Sequence, residues 1–332
     1  MGNSVAIKDT VVESIFGVLP EHANSMGMLH GGYMMNWMVT TAALAAVKLS
    51  RGSATLGALD SIFFINPVKI GSMVLVRSWV EYVGRASMEI GVEAYSENPL
   101  TGESSLTTLS HMAFVATDAR GEPREVHTKI RPREQEREIY EQAVKRWENR
   151  RRSIAKRHEY GLDVSEYAPD SRWRRRVSRI VLADDALYGE YMFGGKMLLL
   201  LDELAGTIAS RYCRGIVLTG SVDGMVFYYP IRVGDIIDIE VALNHVGRTS
   251  LEVGAKIIAE NPYTGRRRHA STAHLTFVHI GRDGRPSEVP PYRPETENEL
   301  ARWREAEERR KNRRIMVEQL QRLAELNKTV YE

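Results

Sequence analysis

Two stretches of the chain are apolar on nearly every side, and each begins at a Gly-Gly pair. Gly31-Gly32 opens one, which runs to Val47, and Gly194-Gly195 opens the other, which carries Met197 to Leu201 in an unbroken apolar row. A segment that is apolar all round predicts a buried helix, here of about 15–18 residues in each case. After each helix come segments in which apolar and polar positions alternate or Val and Ile dominate. They cover residues 55–64, 73–82, 87–96 and 105–117, then 218–228, 236–245, 250–259 and 270–279. These read as strands, separated by Val-Gly-Arg turns (83–85 and 246–248) and Asn-Pro-x-Thr-Gly turns (98–102 and 261–265). One long helix followed by an antiparallel meander, twice over, is an α+β pattern.

The two series are copies of one unit. An offset of 163 carries Gly31-Gly32 onto Gly194-Gly195, Arg51-Gly52 onto Arg214-Gly215, Asp60 onto Asp223 and Pro67 onto Pro230. It also carries Gly71 onto Gly234, Ser87 onto Ser250 and His111 onto His274. About thirty of about ninety positions match without a gap, which chance does not produce. Charged segments rich in Arg, Glu and Lys follow each copy and share Asn149-Arg150-Arg151 and Asn312-Arg313-Arg314 at the same offset. The expected organisation is a first domain at 1–125, a charged helical linker at 126–178, a second domain at 179–290 and a charged C-terminal helix at 291–332. Each charged helix either lies solvated with one face on its domain or makes an intersubunit or nucleic-acid contact.

Composition narrows the function classes. The 45 Lys+Arg and 43 Asp+Glu of the 332 residues nearly cancel, so the chain as a whole is not a polyanion binder. A single Cys excludes a disulfide framework and multi-cysteine metal sites. The high charge content, with Arg prominent, points to a heat-adapted protein. The N-terminus lacks the apolar core of a signal peptide, position six is Ala6 where myristoylation favours Ser or Thr, and no run is long enough to span a bilayer. A cytoplasmic protein is expected.

The repeat supplies an internal control for chemistry. Asp202 falls inside the second apolar helix, where a carboxylate is costly unless it is bonded or paired. The matching residue of the first copy is Val39, so the fold does not require an acid there. Asn24 matches Leu187, and Thr219 on the following strand matches Leu56. One copy thus keeps an amide and lacks the acid, and the other keeps the acid and lacks the amide. Complementary losses point to one composite site across the pseudo-twofold, with an apolar counterpart. His30 matches Phe193 and is expected as a pocket wall. His111 and His274 occur in both copies and are expected to pack or hydrogen-bond in strands. Cys213 matches Ser50 and is not expected to act as a nucleophile.

The run N-x-x-G-x-x-H-G-G (Asn24, Gly27, His30, Gly31, Gly32) resembles the acyl-CoA thioesterases of the hot-dog fold. Asp60, Phe63, Phe64, Pro67, Gly71 and the G-R-x-S-x-E run at Gly84–Glu89 fit the same pattern. Within that family the resemblance is to the tandem acyl-CoA hydrolases, over roughly residues 20–125 and 183–290. It implies two hot-dog domains, each a sheet wrapped around a central helix, with active sites where they meet. It also implies an Asn from one half and an Asp from the other, the positions that Asn24 and Asp202 occupy. Backbone N–H groups at the helix starts after Gly31-Gly32, and formally Gly194-Gly195, are the oxyanion donors this implies. Asp202 would serve as general base or nucleophile, Thr219 as a partner for water, and His30 as part of the substrate-binding wall. Arg85, Ser87, Arg248 and Ser250 in the tight turns either meet CoA phosphates or face solvent. The resemblance implies a homo-oligomer, a trimer of double hot dogs; the sequence itself offers no metal-ligand cluster, so no metal or cofactor is expected beyond the coenzyme A of the substrate, and no membrane or nucleic-acid partner is expected. Two other readings compete. An acyl-thioester hydratase calls for an Asp and a His ahead of the helix, but Asp184-Asp185 is followed by no His. A non-catalytic acyl-CoA sensor calls for a DNA-binding unit, for which the about twenty residues before Asn24 are too few.

Overall fold

The computed structural model describes residues 4–154, 157–187 and 189–331. The first half runs β1 (Ser4–Val5), β2 (Val12–Gly17), α1 (Gly31–Ser50), β3 (Ala54–Leu59), β4 (Ile62–Phe63), β5 (Met73–Val83), β6 (Ser87–Glu97), β7 (Ser104–Ala116) and β8 (Lys129–Ile130). Then come α2 (Arg137–Ile154) and α3 (Arg157–Leu162). The second half runs β9 (Arg174–Ile180), α4 (Gly194–Cys213), β10 (Ile216–Val222), β11 (Met225–Val226), β12 (Ile236–Val246), β13 (Ser250–Glu260), β14 (Arg267–Ile280) and α5 (Glu297–Tyr331). Each half curls an antiparallel sheet around its long helix, in the orders β2-β5-β6-β7-β3-β11 and β9-β12-β13-β14-β10-β4.

Each sheet borrows its last strand from the other half. The segments expected as single strands at 55–64 and 218–228 break near Asp60 and Asp223, and their ends cross over. Leu59 pairs with Met225 and Ala58 with Val226; Phe63 pairs with Ser221 and Ile62 with Val222. Both ladders keep one register, so the sheets meet edge to edge at the pseudo-twofold axis. This removes the open edge that each sheet would otherwise present.

The helices are buried because apolar residues occupy most of their surface. Met34, Met35, Met38 and Val39 of α1 and Leu198 and Leu201 of α4 are at most 2% exposed. They cross at the glycine pairs. A Cβ on Gly32 would lie 2.9 Å from Leu199 Cα, and one on Gly195 would lie 3.1 Å from Asn36 Cα. Asn36 and Leu199 are repeat mates, so the crossing is reciprocal: the start of each helix lies against the second turn of the other. Asp202, less than one turn beyond Leu199, is thereby brought to the start of α1.

The structure also adds strands to the sequence expectation. β2 and β9 were not among the expected strands. β9 takes residues from the end of the segment expected to be a charged helix, and its charge has a structural cause. It is an edge strand whose Arg176 reaches Asp238 at 2.5 Å and whose Arg174 reaches Glu166 at 3.0 Å. The repeat also extends through the helical segments. Arg146 and Arg150 of α2 meet Glu81, Glu89 and Asp60 on the outer face of the first sheet. Arg309 and Arg313 of α5, at the same offset, meet Glu252 and Asp223 on the second. α5 continues to the first half, where Leu320 packs with Phe63 and Leu109 and Asn327 donates to Glu93 at 2.6 Å.

Candidate active site

Asp202 is 0% exposed, and its carboxylate is held by Thr219, Gly32 and His30. Thr219 Oγ1 donates to Oδ1 at 2.8 Å, and the Gly32 N–H donates to Oδ2 at 2.7 Å. His30 Nδ1 lies 3.1 Å from the same Oδ2. Two of these partners come from the first half and one from the second. Burial pushes the Asp202 carboxyl above the usual aspartate range, while His30, Thr219 and the Gly32 N–H hold it back and Glu203 adds to the rise. His30 caps α1, its Nδ1 lying 3.3 Å from the Gly32 nitrogen.

Gly31 fits because it has no side chain. A Cβ there would lie 2.7 Å from both Thr219 Cβ and Oγ1, and 3.2 Å from Asp202 Oδ2. The close approach of α1 to β10 therefore depends on this glycine.

A cavity of about 710 Å³ opens beside the carboxylate, lined by Asn24, His30, Gly31 and Thr219 among polar positions and Met34, Phe64, Leu218 and Phe277 among apolar ones. Among the described residues its lining holds no Lys or Arg. Asn24 Oδ1 accepts the N–H groups of Met26 at 2.9 Å and Met28 at 3.2 Å, which fixes the amide in an Asx turn. Its Nδ2 has no partner among the described residues, so the amide faces the cavity as a donor.

Across the pseudo-twofold the matching positions are apolar, although the polar Asn36 lies against Gly195 where Leu199 lies against Gly32. Val39 is 0% exposed where Asp202 would be. Leu56, in place of Thr219, closes on Gly194: a Cβ there would meet Leu56 Cδ2 at 2.7 Å. Phe193 caps α4 without a side-chain hydrogen bond, and Leu187 stands where Asn24 would be.

The structure thus places Asn24, His30, Gly31 and Thr219 on the wall of one cavity, with Asp202 and Gly32 outside its lining and Asp202 held behind that wall by His30, Gly32 and Thr219. Gly194 and Gly195 lie on the apolar side. Arg85, Ser87, Arg248 and Ser250 sit at the β5–β6 and β12–β13 turns, and none of the four lines this cavity. Arg85 and Arg248 are exposed, and Ser87 accepts from Trp147 Nε1 at 3.0 Å. The contact of His30 with the acid was not anticipated, although its replacement by Phe193 tracks the replacement of Asp202 by Val39. Glu203 also lines the cavity. Cys213 is buried, and its thiol is pushed up to about 11.

The thioesterase superfamily model matches residues 26–103 and 189–265, one match per half. The cytosolic acyl coenzyme A thioester hydrolase of Mus musculus is 28% identical over 308 residues, covering 87% of this chain and 80% of that protein. Protein VdlD of Helicobacter pylori is 37% identical over 142 residues, covering 43% of this chain and 81% of that protein. A crystal structure of an acyl-ACP thioesterase from Bacteroides thetaiotaomicron shares the fold, with a TM-score of 0.50 at 12% identity over 82% of this chain and all of that one. With two matched domains, their sheets and central helices, and relatives that span most of its length, the chain belongs to the acyl-CoA thioesterases of the hot-dog fold, in their tandem form.

Proposed function

We propose that the chain hydrolyses acyl-CoA thioesters to a carboxylic acid and coenzyme A, at one composite site per chain. The observation that carries this reading is the buried Asp202 carboxylate, held by Gly32, His30 and Thr219 beside a cavity lined largely by apolar residues. Desolvation makes this carboxylate a stronger base than an exposed one, and Thr219 fixes its orientation. Water bound there gives its proton to Asp202 as its oxygen forms a bond to the thioester carbonyl carbon. The C–S bond then breaks, and the proton passes to the departing sulfur. Direct attack by Asp202, through an anhydride that water then opens, uses the same groups. The Gly32 N–H is engaged by Asp202. The donors left for the developing oxyanion are therefore Asn24 Nδ2 and the Gly31 N–H, the first of α1.

On this reading, the protein works in the cytoplasm as a homo-oligomer of double hot dogs, and the chemistry uses no metal or organic cofactor. The cytosolic name of the mouse relative supports the location. The test is a panel of acyl-CoAs of graded chain length, with released thiol measured with and without a strong chelator. Thiol release that the chelator leaves unchanged is expected. A chain that releases no thiol, or releases it only when a divalent metal is restored, contradicts the reading.

A further inference from the structure

A second cavity, of about 640 Å³, lies on the outer face of the second sheet beneath α5. It shares Gly220 and Val278 with the cavity beside Asp202, so the two adjoin at the β10 edge. Its walls include His245, Ser250, Thr276, Arg310 and Arg314. The Arg310 guanidinium packs 3.4 Å from the position a Cβ on Gly247 would take. Neither Arg310 nor Arg314 has an ion-pair or hydrogen-bond partner among the described residues. The contrast with Arg309 and Arg313, each the preceding residue of the helix and paired to Glu252 and Asp223, is direct. Arg310 also lowers the proton affinity of the neighbouring His245, after burial, as expected of a cation without a counter-ion. Of the carboxylates in the wall, Glu252 is taken by Arg309 and Arg313, and Glu318 is exposed. The Thr276 hydroxyl is buried without a partner among the described residues.

The first half again serves as a control. Its residues at these positions are Trp147 for Arg310, Tyr82 for His245 and Ala113 for Thr276. Trp147 Nε1 donates to Ser87 at 3.0 Å, its ring lies 5.3 Å from that of Tyr82, and Arg151, the match of Arg314, lies over it at 5.5 Å. The same place is thus filled by aromatic rings on the side of the apolar counterpart. It is open and cationic on the side that holds Asp202 and Thr219. The two asymmetries coincide.

We infer that this cavity receives the phosphate-bearing nucleotide end of coenzyme A, with Arg310 and Arg314 as its anion partners and Ser250 and Thr276 as hydroxyl donors. This inference rests on the proposed hydrolysis and gives it a substrate-binding residue pair. The cavity beside Asp202, which has no Lys or Arg among the described residues of its lining, takes the thioester and its uncharged arm. The 3′-phosphate and diphosphate require cations, and unpaired guanidiniums at the adjoining wall supply them. Because the arginines are unpaired, replacing them breaks no ion pair in the fold.

The test compares acyl-CoA with the same acyl group on N-acetylcysteamine, which lacks the nucleotide. In Arg310→Gln/Arg314→Gln, the ratio of kcat/KM for the two substrates should fall on the order of tenfold or more, through KM for acyl-CoA. Lys311→Gln removes a charge of the same sign from an exposed position of the same helix, and its ratio should match the parent. Arg314→Gln alone, at an exposed position, provides a second variant should the double variant lose its fold. A ratio unchanged in folded Arg310/Arg314 variants overturns the inference. If the parent chain hydrolyses no thioester at all, calorimetric titration with adenosine 3′,5′-bisphosphate still decides. Binding by the parent and its loss in the variant support the cavity's role, and absence of binding to the parent refutes it.

Discussion

The substitution Gly31→Ala tests the geometry of the site more sharply than any change to a charged residue. The added methyl would lie 2.7 Å from Thr219 Cβ. Carbon atoms in contact sit about 3.5–4.0 Å apart, so about 1 Å of overlap must be relieved. Thr219 is β-branched and held in β10 opposite Phe277, so rotation does not relieve it. Either α1 or β10 has to shift by about that amount. Overpacking of this kind costs about 1–3 kcal/mol, against which the helix-propensity gain of Ala over Gly returns up to about 1 kcal/mol. A displacement of about 1 Å at the reacting groups costs on the order of 10²-fold in rate. Gly206 is the comparator, four residues after Asp202 in the same helix. A Cβ there meets only Phe277, at 3.7 Å, an ordinary contact. Gly206→Ala should therefore gain about 0.5–1 kcal/mol of stability. Thermal unfolding and steady-state thiol release on both variants check these numbers. A Gly31→Ala protein with parental turnover and melting temperature would refute the close-approach argument.

Further outcomes follow from the charged groups. His30→Phe installs the residue found on the apolar side and removes a group that lowers the Asp202 pKa. The acid limb of the pH–rate profile should move to higher pH, and turnover near pH 6 should fall more than turnover near pH 8; a superimposable profile counts against the contact. Glu89 is pushed up to about 7, chiefly by burial, whereas its repeat mate Glu252 is held down at about 2, burial being outweighed by Arg309, Arg313 and His274. A carboxyl with a raised pKa contributes stability that is present below about 4.5 and lost as pH rises through about 7, so Glu89→Gln should gain on the parent between pH 6 and 8 in denaturant melts. The contribution of Glu252 has the opposite sign: it is present above about 4.5 and is lost as pH falls toward about 2. Deleting residues 296–332 strips Arg309 and Arg313 from Glu252 and Asp223 and should lower the melting temperature or change the oligomer. A truncated chain with its fold and assembly intact would contradict the structural role of α5.

Much of this architecture was legible because the chain carries its own control. The offset of 163 located both helices, both meanders and the asymmetry at Asp202 without any outside comparison. What escaped is explained by how each signal arises. β9 reads as a charged segment because an edge strand exposes its Arg residues to Asp238 and Glu166, and charge masks the period-two pattern. The split of the 55–64 and 218–228 strands follows from pairing between halves, which no local pattern encodes. The contact of His30 with Asp202 is set by the crossing of two helices at Gly32 and Leu199, a tertiary fact. The match of Arg150 with Arg313 was visible at the same offset, which Arg146 and Arg309 also obey, but their pairing with carboxylates of the sheets was not, because the composition of these segments alone reads as solvated helix.

The central claim is one working site per chain, with Asp202 as the group that activates water or attacks the thioester. Asp202→Asn preserves size and keeps a hydrogen-bonding group toward Thr219 and Gly32 while removing the base. Stopped-flow and steady-state thiol release, with calorimetric binding of a non-hydrolysable acyl-CoA alongside, read both parts of the claim. The account predicts a fall in kcat on the order of 10²–10⁴ with ligand still bound at one site per chain. Near-parental turnover by a folded Asp202→Asn protein, or two equivalent sites per chain, would contradict it.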